Sequence, residues 1–460
     1  MFKNFNINRA LLVLLILFIP LYPKFPLFSV NSTYVAIRLD DIVIGLCVAF
    51  WFLSQIKNRF PFKQNKALPL FIAYFIAITI SQLNSYLVFQ NVPLNILILN
   101  LLRRFEYMSL FFITIDGIKT KKDLGTTYWA LILSTVGIAI YGYGQKYLQF
   151  PVVSTMNSEF SKGMLLRMDV WTRINSTFAG HYDLAAFMSM ILVIIGSVAL
   201  ISKNKILKLI SFIMWCVSFH LLTLTASRVS IFAFWGSFTI SLLLIKKYIW
   251  IIPLTLLMVL SIANSKDLNR RLIATLPMIK SFIPKTTKPI PTLVPTAIPT
   301  LIVSSTNTST VPIKVSTPVP TIFHHQIIDE FIPIDADLGV ARSGEIRFNV
   351  EWPRAINAFK TNVITGTGLG SITLATDNDY LRLLGESGIL GIMTLLGIII
   401  FFFLKTIKSP DLLTITMFGA TICMLANAIF IDVFESSKIA YSFWIIMGVY
   451  YQCLRFNKKL

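Results

Sequence analysis

Apolar stretches of about 20 residues alternate with short polar segments along most of the chain, and a helix that crosses a bilayer needs roughly 17–25 such residues. The pattern therefore predicts about twelve crossing helices. The predicted spans are 10–28, 38–55, 68–88, 94–115, 125–146, 181–201, 207–225, 229–245, 248–264, 384–404, 411–431 and 439–454. The first stretch follows a charged start, as in a signal peptide. No small-residue cleavage site follows it, so we expect an uncleaved first helix.

Composition supports a membrane protein. The chain has 460 residues, of which 55% are hydrophobic and 13% charged, with a mean hydropathy of +0.72. Soluble domains carry about a quarter charged residues, so a polytopic membrane protein is the class that fits. A net charge of +20 would indicate nucleic-acid binding in a soluble protein. Here much of the Lys and Arg excess lies in short loops between spans, where it orients the protein, and we expect no nucleic-acid partner.

The loop charges predict the topology. If the N-terminus is cytoplasmic, the even-numbered joins between spans should be rich in Lys and Arg. The residues found there are Lys57, Arg59, Lys63, Lys66, Lys119, Lys121, Lys122, Lys203, Lys205, Lys208, Lys246, Lys247, Lys405, Lys408, Arg455, Lys458 and Lys459. Both termini are then cytoplasmic in the inner membrane, and segments 147–180 and 265–383 are external.

Four regions follow from this arrangement. Residues 1–264 form a membrane domain of about nine helices, and residues 384–460 form the C-terminal membrane helices. Between them, the Pro/Thr-rich segment 265–325 predicts an extended external linker, because proline disfavours helix and central strand. Residues 326–383 have the composition of a folded external loop, with a helix around Trp352 and a break at Gly366–Gly370.

Ionisable residues within or beside spans are candidates for function. Arg103 and Arg104 interrupt the fourth span and predict a basic wall of an external cavity; a structural pair with Glu106 is the alternative. Arg228 lies at the external N-terminus of the eighth span, where the helix dipole disfavours a cation. An anion held by both the arginine and the free amides would explain its position.

Further arginines belong to the same predicted face. They are Arg173, Arg342, Arg347, Arg354 and Arg382. Guanidinium groups form bidentate, charge-assisted bonds to diphosphates, so this set indicates a lipid-linked diphosphate, with a solvated charge as the alternative for any single arginine.

Acid and base candidates on this face are Asp377, Glu345 and His181, since a sugar hydroxyl acceptor benefits from a positioned base. Other carboxylates there are Glu351, Asp379 and Glu386. The glycine-rich run from Gly366 does not follow a strand in a βαβ unit, which argues against dinucleotide binding. There is no His/Cys cluster, so we expect a metal-independent reaction without a cofactor.

Several short motifs resemble the O-antigen ligase and polymerase superfamily of bacterial membrane proteins. They are Arg38-Leu-Asp-Asp41, Arg173-Ile-Asn-Ser-Thr-Phe178 leading into His181-Tyr-Asp-Leu-Ala-Ala186, Leu224-Thr-Ala-Ser-Arg228, Gly366-Thr-Gly-Leu-Gly370, Asn378-Asp-Tyr-Leu381 and Gly385-Glu-Ser-Gly388. The similarity in hydropathy covers nearly the whole chain.

The resemblance implies an all-α, GT-C-like polytopic fold with a large external loop between the ninth and tenth helices. It implies a glycosyltransferase that uses a polyprenyl-diphosphate-linked saccharide as donor and a glycan or glycolipid as acceptor, with arginines on the diphosphate and Asn378 and Tyr380 on the acceptor side. Ligases of the family carry histidine at the position of Asp377. Ligase and polymerase therefore both stay open.

Two other classes compete with the enzyme. A transporter or flippase of lipid-linked saccharides would also have many spans and intramembrane charges, but such proteins often consist of two related halves, and this sequence has no similarity between its halves. A membrane scaffold that uses the Pro/Thr tether would leave Arg103, Arg104 and Arg228 without a role.

Overall fold

A computed structural model describes residues 7–23, 26–29, 36–60, 65–90, 92–152, 173–265, 346–372, 376–408 and 410–457. The described part is mainly helical. The helices are α1 (Ile7–Leu21), α2 (Leu39–Lys57), α3 (Leu68–Asn84), α4 (Leu94–Gly117), α5 (Lys121–Tyr147), α6 (His181–Ile201), α7 (Lys205–Leu224), α8 (Arg228–Leu244), α9 (Ile251–Asn264), α10 (Trp352–Thr361), α11 (Asp379–Lys408), α12 (Leu412–Asn427) and α13 (Ser437–Phe456).

Three shorter helical turns and one hairpin complete these elements. A π-turn, Ser85–Phe89, extends α3; a 3₁₀ turn, Tyr248–Trp250, precedes α9; and a second π-turn, Arg347–Glu351, leads into α10. Strands β1 (Pro26–Ser29) and β2 (Ala36–Arg38) pair antiparallel between α1 and α2. The first predicted span is therefore too long, because α1 ends at Leu21 and part of the remaining apolar sequence forms β1.

The helices are those of a membrane protein by length and composition. Six apolar segments are long enough to cross a bilayer: Leu39–Lys57, Leu68–Phe89, Lys121–Tyr147, His181–Ile201, Lys205–Leu224 and Asp379–Lys408. Shorter apolar helices are Ile7–Leu21, Arg228–Leu244, Tyr248–Asn264 and Leu412–Asn427. The expectation of a helical membrane protein is confirmed at this level, whereas the number of crossings and their orientation stay predictions.

Helix α6 lies in the interior of the bundle. In its most apolar stretch, 83% of the residues are buried, and it packs against α7, α8 and α12. A helix that is apolar all round is expected in the interior of a bundle rather than on its surface. The first three residues of α6, His181, Tyr182 and Asp183, are half-buried, and burial begins at Leu184.

Helix α11 is broken at Gly388, which adopts φ +63° and ψ −165° inside an otherwise helical segment. The amides of Ile389 and Leu390 donate instead to the carbonyls of Val363 (2.9 Å) and Ile364 (3.2 Å). A Cβ on residue 388 would lie 2.3 Å from the carbonyl oxygen of Ile364, so only glycine fits this close approach. The break thus joins the loop after α10 to the membrane bundle.

The linker predicted at 265–325 falls almost entirely outside the described residues, as does the first part of the external loop predicted at 326–383. Within that loop, the helix expected around Trp352 is present as α10. The indole of Trp352 packs against the rings of Phe348 and Phe430, which ties α10 to the segment after α12.

Candidate functional site

Three arginines from distant parts of the sequence converge on Tyr182. The guanidinium carbons of Arg173 and Arg347 lie 5.9 and 5.7 Å from the centre of the Tyr182 ring. Arg228 interacts electrostatically with Tyr182 and with both of the other arginines. We call Arg173, Arg228 and Arg347 the arginine cluster. Three positive charges around one phenol make this a strong candidate site for a multiply charged anion.

Arg173 is positioned by the turn that precedes α6. The side chain of Gln145 accepts a bond from the Ser176 amide at 2.7 Å and donates to its carbonyl at 3.1 Å. The ammonium of Lys438, which is fully buried, donates to the carbonyl of Thr177 at 2.7 Å and to that of Pro20 at 3.2 Å. Helices α1, α5 and α13 therefore all hold this turn.

His181 is the first residue of α6 and contacts the arginine cluster directly. Its Nε2 lies 2.5 Å from Nη1 of Arg173. Since arginine only donates, Nε2 of His181 is the acceptor in this contact. In this arrangement His181 orients Arg173.

Arg228 opens α8, as the sequence predicts. Ala226 adopts φ +50°, which turns the chain into the helix, and Ser227 caps it by accepting a bond from the Ser230 amide. Ser230 donates to Asn427 at 2.7 Å, and Asn427 donates to Ser189 at 3.1 Å. These bonds link α8 to α12 and α6, so the position of Arg228 is tied to that of Tyr182.

Arg347 is held by Asp377. Its Nε and Nη2 lie 2.7 and 2.6 Å from Oδ2 of Asp377, and Asp377 adopts the left-handed conformation with φ +49°. Asp377 is a predicted acid/base residue and Arg347 a predicted diphosphate ligand. The structure brings the two together.

Glu351 and Asp432 complete the acidic side of the site. Burial and the neighbouring Asp377 raise the pKa of Glu351 to about 7, while Arg347 acts in the opposite direction. Burial raises the pKa of Asp432 to about 6, with Arg382 opposing. One oxygen of Glu351 is enclosed and makes no hydrogen bond. A carboxyl group whose pKa lies near neutrality can accept a proton, so Glu351 is the group in this site best suited to act as a base.

Sequence reasoning missed two residues of this site. Tyr182 follows His181 directly, and its place in the first turn of the long helix with the highest mean hydropathy is a signal that can be read from the sequence. Asp432 lies in the short segment between α12 and α13, which no motif marks. Its neighbour Ser436 donates to Asp183 at 2.8 Å and so joins that segment to α6.

The predicted acceptor-side residues have structural partners. Oδ1 of Asn378 accepts from the amide of Leu381 at 3.0 Å, which caps α11. The hydroxyl of Tyr380 donates to the carbonyl of Leu425 at 2.7 Å. Asn378 is 6% exposed. Asn378 thus caps the start of α11, and Tyr380 positions α11 against α12.

Arg103 and Arg104 do not join the arginine cluster. Arg104 forms an ion pair with Glu435 and donates to the carbonyl of Phe434 at 2.9 Å. Arg103 lines a separate cleft together with Asp41 and Glu106. The last two predicted site residues, Arg342 and Glu345, lie outside the described residues.

The glycine-rich run from Gly366 to Gly370 packs against α11. Gly366, Gly368 and Gly370 all have positive φ, and the amides of Thr367 and Gly368 donate to the carbonyls of Gly385 (3.0 Å) and Glu386 (2.8 Å). These amides are therefore occupied by protein carbonyls and do not face a phosphate. The two hydrogen bonds hold the glycine-rich run against α11 just before the break at Gly388.

Among the described residues, no three His, Cys, Asp or Glu side chains are arranged to hold a metal ion. No protein-family model matches the chain, and no curated protein matches it in sequence. The site is thus characterised by its own geometry: a cluster of guanidinium groups on one side and carboxyl groups on the other.

Proposed function

We propose that this protein is an integral membrane glycosyltransferase that transfers or polymerises a polyprenyl-diphosphate-linked saccharide. The observation that supports this most is the convergence of Arg173, Arg228 and Arg347 on Tyr182, directly beside Asp377 and Glu351. Anion binding and proton acceptance are the two requirements of such a transfer, and here they lie next to each other.

The arginine cluster binds the diphosphate of the donor. Guanidinium groups match phosphate oxygens in bidentate geometry, and enclosure of the site strengthens these bonds. As the glycosidic C–O bond to the diphosphate breaks, negative charge builds on the leaving oxygen. Groups fixed in place to stabilise such charge contribute about 3–4 kcal/mol each in comparable enzymes.

The acceptor hydroxyl attacks the anomeric carbon from the side of the carboxyl groups. Its oxygen forms the new glycosidic bond, its proton passes to Glu351, and polyprenyl diphosphate leaves with the electron pair of the broken bond. Asp377 holds Arg347 in place. A single displacement of this kind inverts the anomeric centre, in contrast to a route through a covalent glycosyl-enzyme.

The orientation in the membrane belongs to the same proposal. The Lys and Arg residues of the even-numbered joins favour a cytoplasmic position for both termini. The site then lies at the outer face of the cytoplasmic membrane. The partners are the lipid-linked donor, a glycan or glycolipid acceptor and the surrounding lipids.

The test uses purified full-length protein in liposomes with a polyprenyl-diphosphate oligosaccharide and an oligosaccharide acceptor. We expect release of polyprenyl diphosphate together with a new glycosidic product, and loss of both in Arg228→Ala and Arg347→Ala variants that insert normally. Movement of the lipid across the bilayer without chemistry would identify a flippase. Undiminished product in both variants would overturn the assignment of the site.

A further inference from the structure

A second cleft lies between α2 and α4, away from the arginine cluster. Its volume is about 370 Å³, and among the described residues it is lined by one face of each helix. Asp41 and Gly45 line it from α2, and Arg103 and Glu106 from α4. The walls of this α2–α4 cleft are otherwise apolar. A volume of this size accommodates a small polar group with the first part of a hydrocarbon chain.

The charges in the α2–α4 cleft are mixed. Arg103 interacts electrostatically with both Asp41 and Glu106. One carboxylate oxygen of Asp41 is enclosed without a hydrogen-bond partner, and the carboxyl group of Glu106 lies beside the hydroxyl of Tyr441. Enclosed carboxylate oxygens are costly unless a donor reaches them. The cleft thus offers one guanidinium group, that of Arg103, to bind an anion. It also offers two carboxyl groups, those of Asp41 and Glu106, that can each accept a further hydrogen bond.

This combination disfavours a diphosphate and favours a zwitterion. A diphosphate would meet a single guanidinium and two carboxylates, so repulsion would offset the attraction. A ligand that carries both a phosphate and an ammonium satisfies all three side chains, since the phosphate pairs with Arg103 and the ammonium donates to Asp41 and Glu106.

The apolar walls indicate that the ligand is a lipid. Ile42, Leu102 and Phe105 are 40%, 58% and 50% exposed, and they surround the charged residues on helices of a membrane protein. Large apolar side chains exposed beside a polar cleft mark a surface for an amphiphile. Acyl chains would run along these side chains while the headgroup enters between the helices.

We propose that the α2–α4 cleft binds the headgroup of a zwitterionic aminophospholipid, with its phosphate on Arg103 and its ammonium on Asp41 and Glu106. This site is separate from the proposed transferase site, and it stands whether or not the protein transfers saccharides. It also gives Arg103 a role that the arginine cluster does not.

Gly45 offers a direct test. A Cβ at position 45 meets no atom within 4 Å, so a larger side chain enters the cleft without a clash. Gly397 in α11 provides the matched control, because a Cβ there also meets open space and the residue does not line the cleft. We therefore compare Gly45→Leu with Gly397→Leu, and wild type with Arg103→Gln.

The measurement is native mass spectrometry of the full-length protein released from nanodiscs that contain equal amounts of phosphatidylethanolamine, phosphatidylcholine and phosphatidylglycerol. We expect wild type and Gly397→Leu to retain phosphatidylethanolamine above the other two. Gly45→Leu and Arg103→Gln should retain about tenfold less phosphatidylethanolamine than wild type. A decrease of this size matches the loss of one or two hydrogen bonds to charged groups.

Each lipid reports on a different feature. Phosphatidylcholine has the same charges but an ammonium without N–H donors, and phosphatidylglycerol has the phosphate alone. Equal retention of all three by wild type would overturn the proposal. So would retention of phosphatidylethanolamine by Gly45→Leu at the level of Gly397→Leu, given that both variants elute as folded protein.

Discussion

Arg347 and Asp377 are joined through a single carboxylate oxygen, with Nε at 2.7 Å and Nη2 at 2.6 Å from Oδ2. The side chain of Arg347 is 12% exposed and that of Asp377 is 30% exposed. The arginine is the more enclosed partner, and the aspartate fixes it against Tyr182. The sequence predicts a role for each residue, and their pairing gives Asp377 the additional task of orienting a cation.

Replacement of Arg347 by lysine tests the need for a guanidinium group. Lysine keeps the charge but loses the planar fork that bonds Asp377 and a phosphate at once. We expect transfer to fall about tenfold in Arg347→Lys and about a hundredfold in Arg347→Gln, as for bonds to charged groups. Labelled-saccharide incorporation measures this. The exposed Lys360→Gln serves as control, and equal rates for Arg347→Lys and wild type would exclude bidentate binding at this residue.

The pH dependence of transfer reports on Glu351. Burial raises the pKa of this group to about 7, so it becomes ionised, and able to accept a proton, only as the pH rises through about 7. We expect wild-type activity to increase across pH 6–8. In Glu351→Gln the remaining activity should be low and nearly flat with pH, whereas Glu351→Asp should recover the slope at a lower midpoint. A rising profile in Glu351→Gln would assign the proton transfer to another group.

Substitution of Gly388 tests the helix break. Alanine would have to adopt φ +63°, and its Cβ would lie 2.3 Å from the Ile364 carbonyl oxygen. We expect Gly388→Ala to lose about 1–3 kcal/mol or more of stability from strain alone. Gly397→Ala, in open space within the same helix, should gain a few tenths to about 1 kcal/mol. Thermal unfolding in detergent compares the two, and equal midpoints would show that α11 can run straight.

Asp379 anchors the segment that carries Asp432 and Glu435. Its Oδ2 accepts from the amides of Val433 (2.6 Å) and Phe434 (2.9 Å), and it is 3% exposed. Asp379→Ala leaves two enclosed donors unsatisfied, at about 1–3 kcal/mol each. We expect a clear fall in the unfolding midpoint. Asp379→Asn keeps one acceptor oxygen, so its unfolding midpoint should fall less. Identical midpoints for the two variants would argue against an anchoring role of Asp379.

Cysteine labelling tests the predicted orientation. Lys360 and Lys203 are both exposed and lie on opposite sides of the membrane according to the loop charges. In a chain without its native cysteines, a membrane-impermeant maleimide should label Lys360→Cys in intact cells. Lys203→Cys should react only after permeabilisation. The reverse pattern would invert the topology and place the arginine cluster on the cytoplasmic side.

Local pattern was sufficient to locate most helices. The apolar stretches predict α2 to α9 and α11 to α13 within a few residues, because each crossing segment must satisfy its own backbone as a helix. Two spans differ from the prediction. The first span ends early where a hairpin follows, and the tenth is interrupted at Gly388, whose role depends on the approach of Ile364.

The sequence by itself determined the class of protein, the helices and several of the residues that meet in the site. Arg173, Arg228, Arg347, Asp377 and His181 were all predicted from charge type and position. Tertiary structure alone decided which residues pair with one another. Arg347 pairs with Asp377, Arg104 pairs with Glu435, and Arg173 contacts His181 beside Tyr182. The physical reason is that helix formation depends on neighbouring residues, whereas a charge cluster depends on which helix ends pack together. That packing brings Arg347 to Tyr182, 165 positions earlier in the chain, and Arg104 to Glu435, 331 positions later.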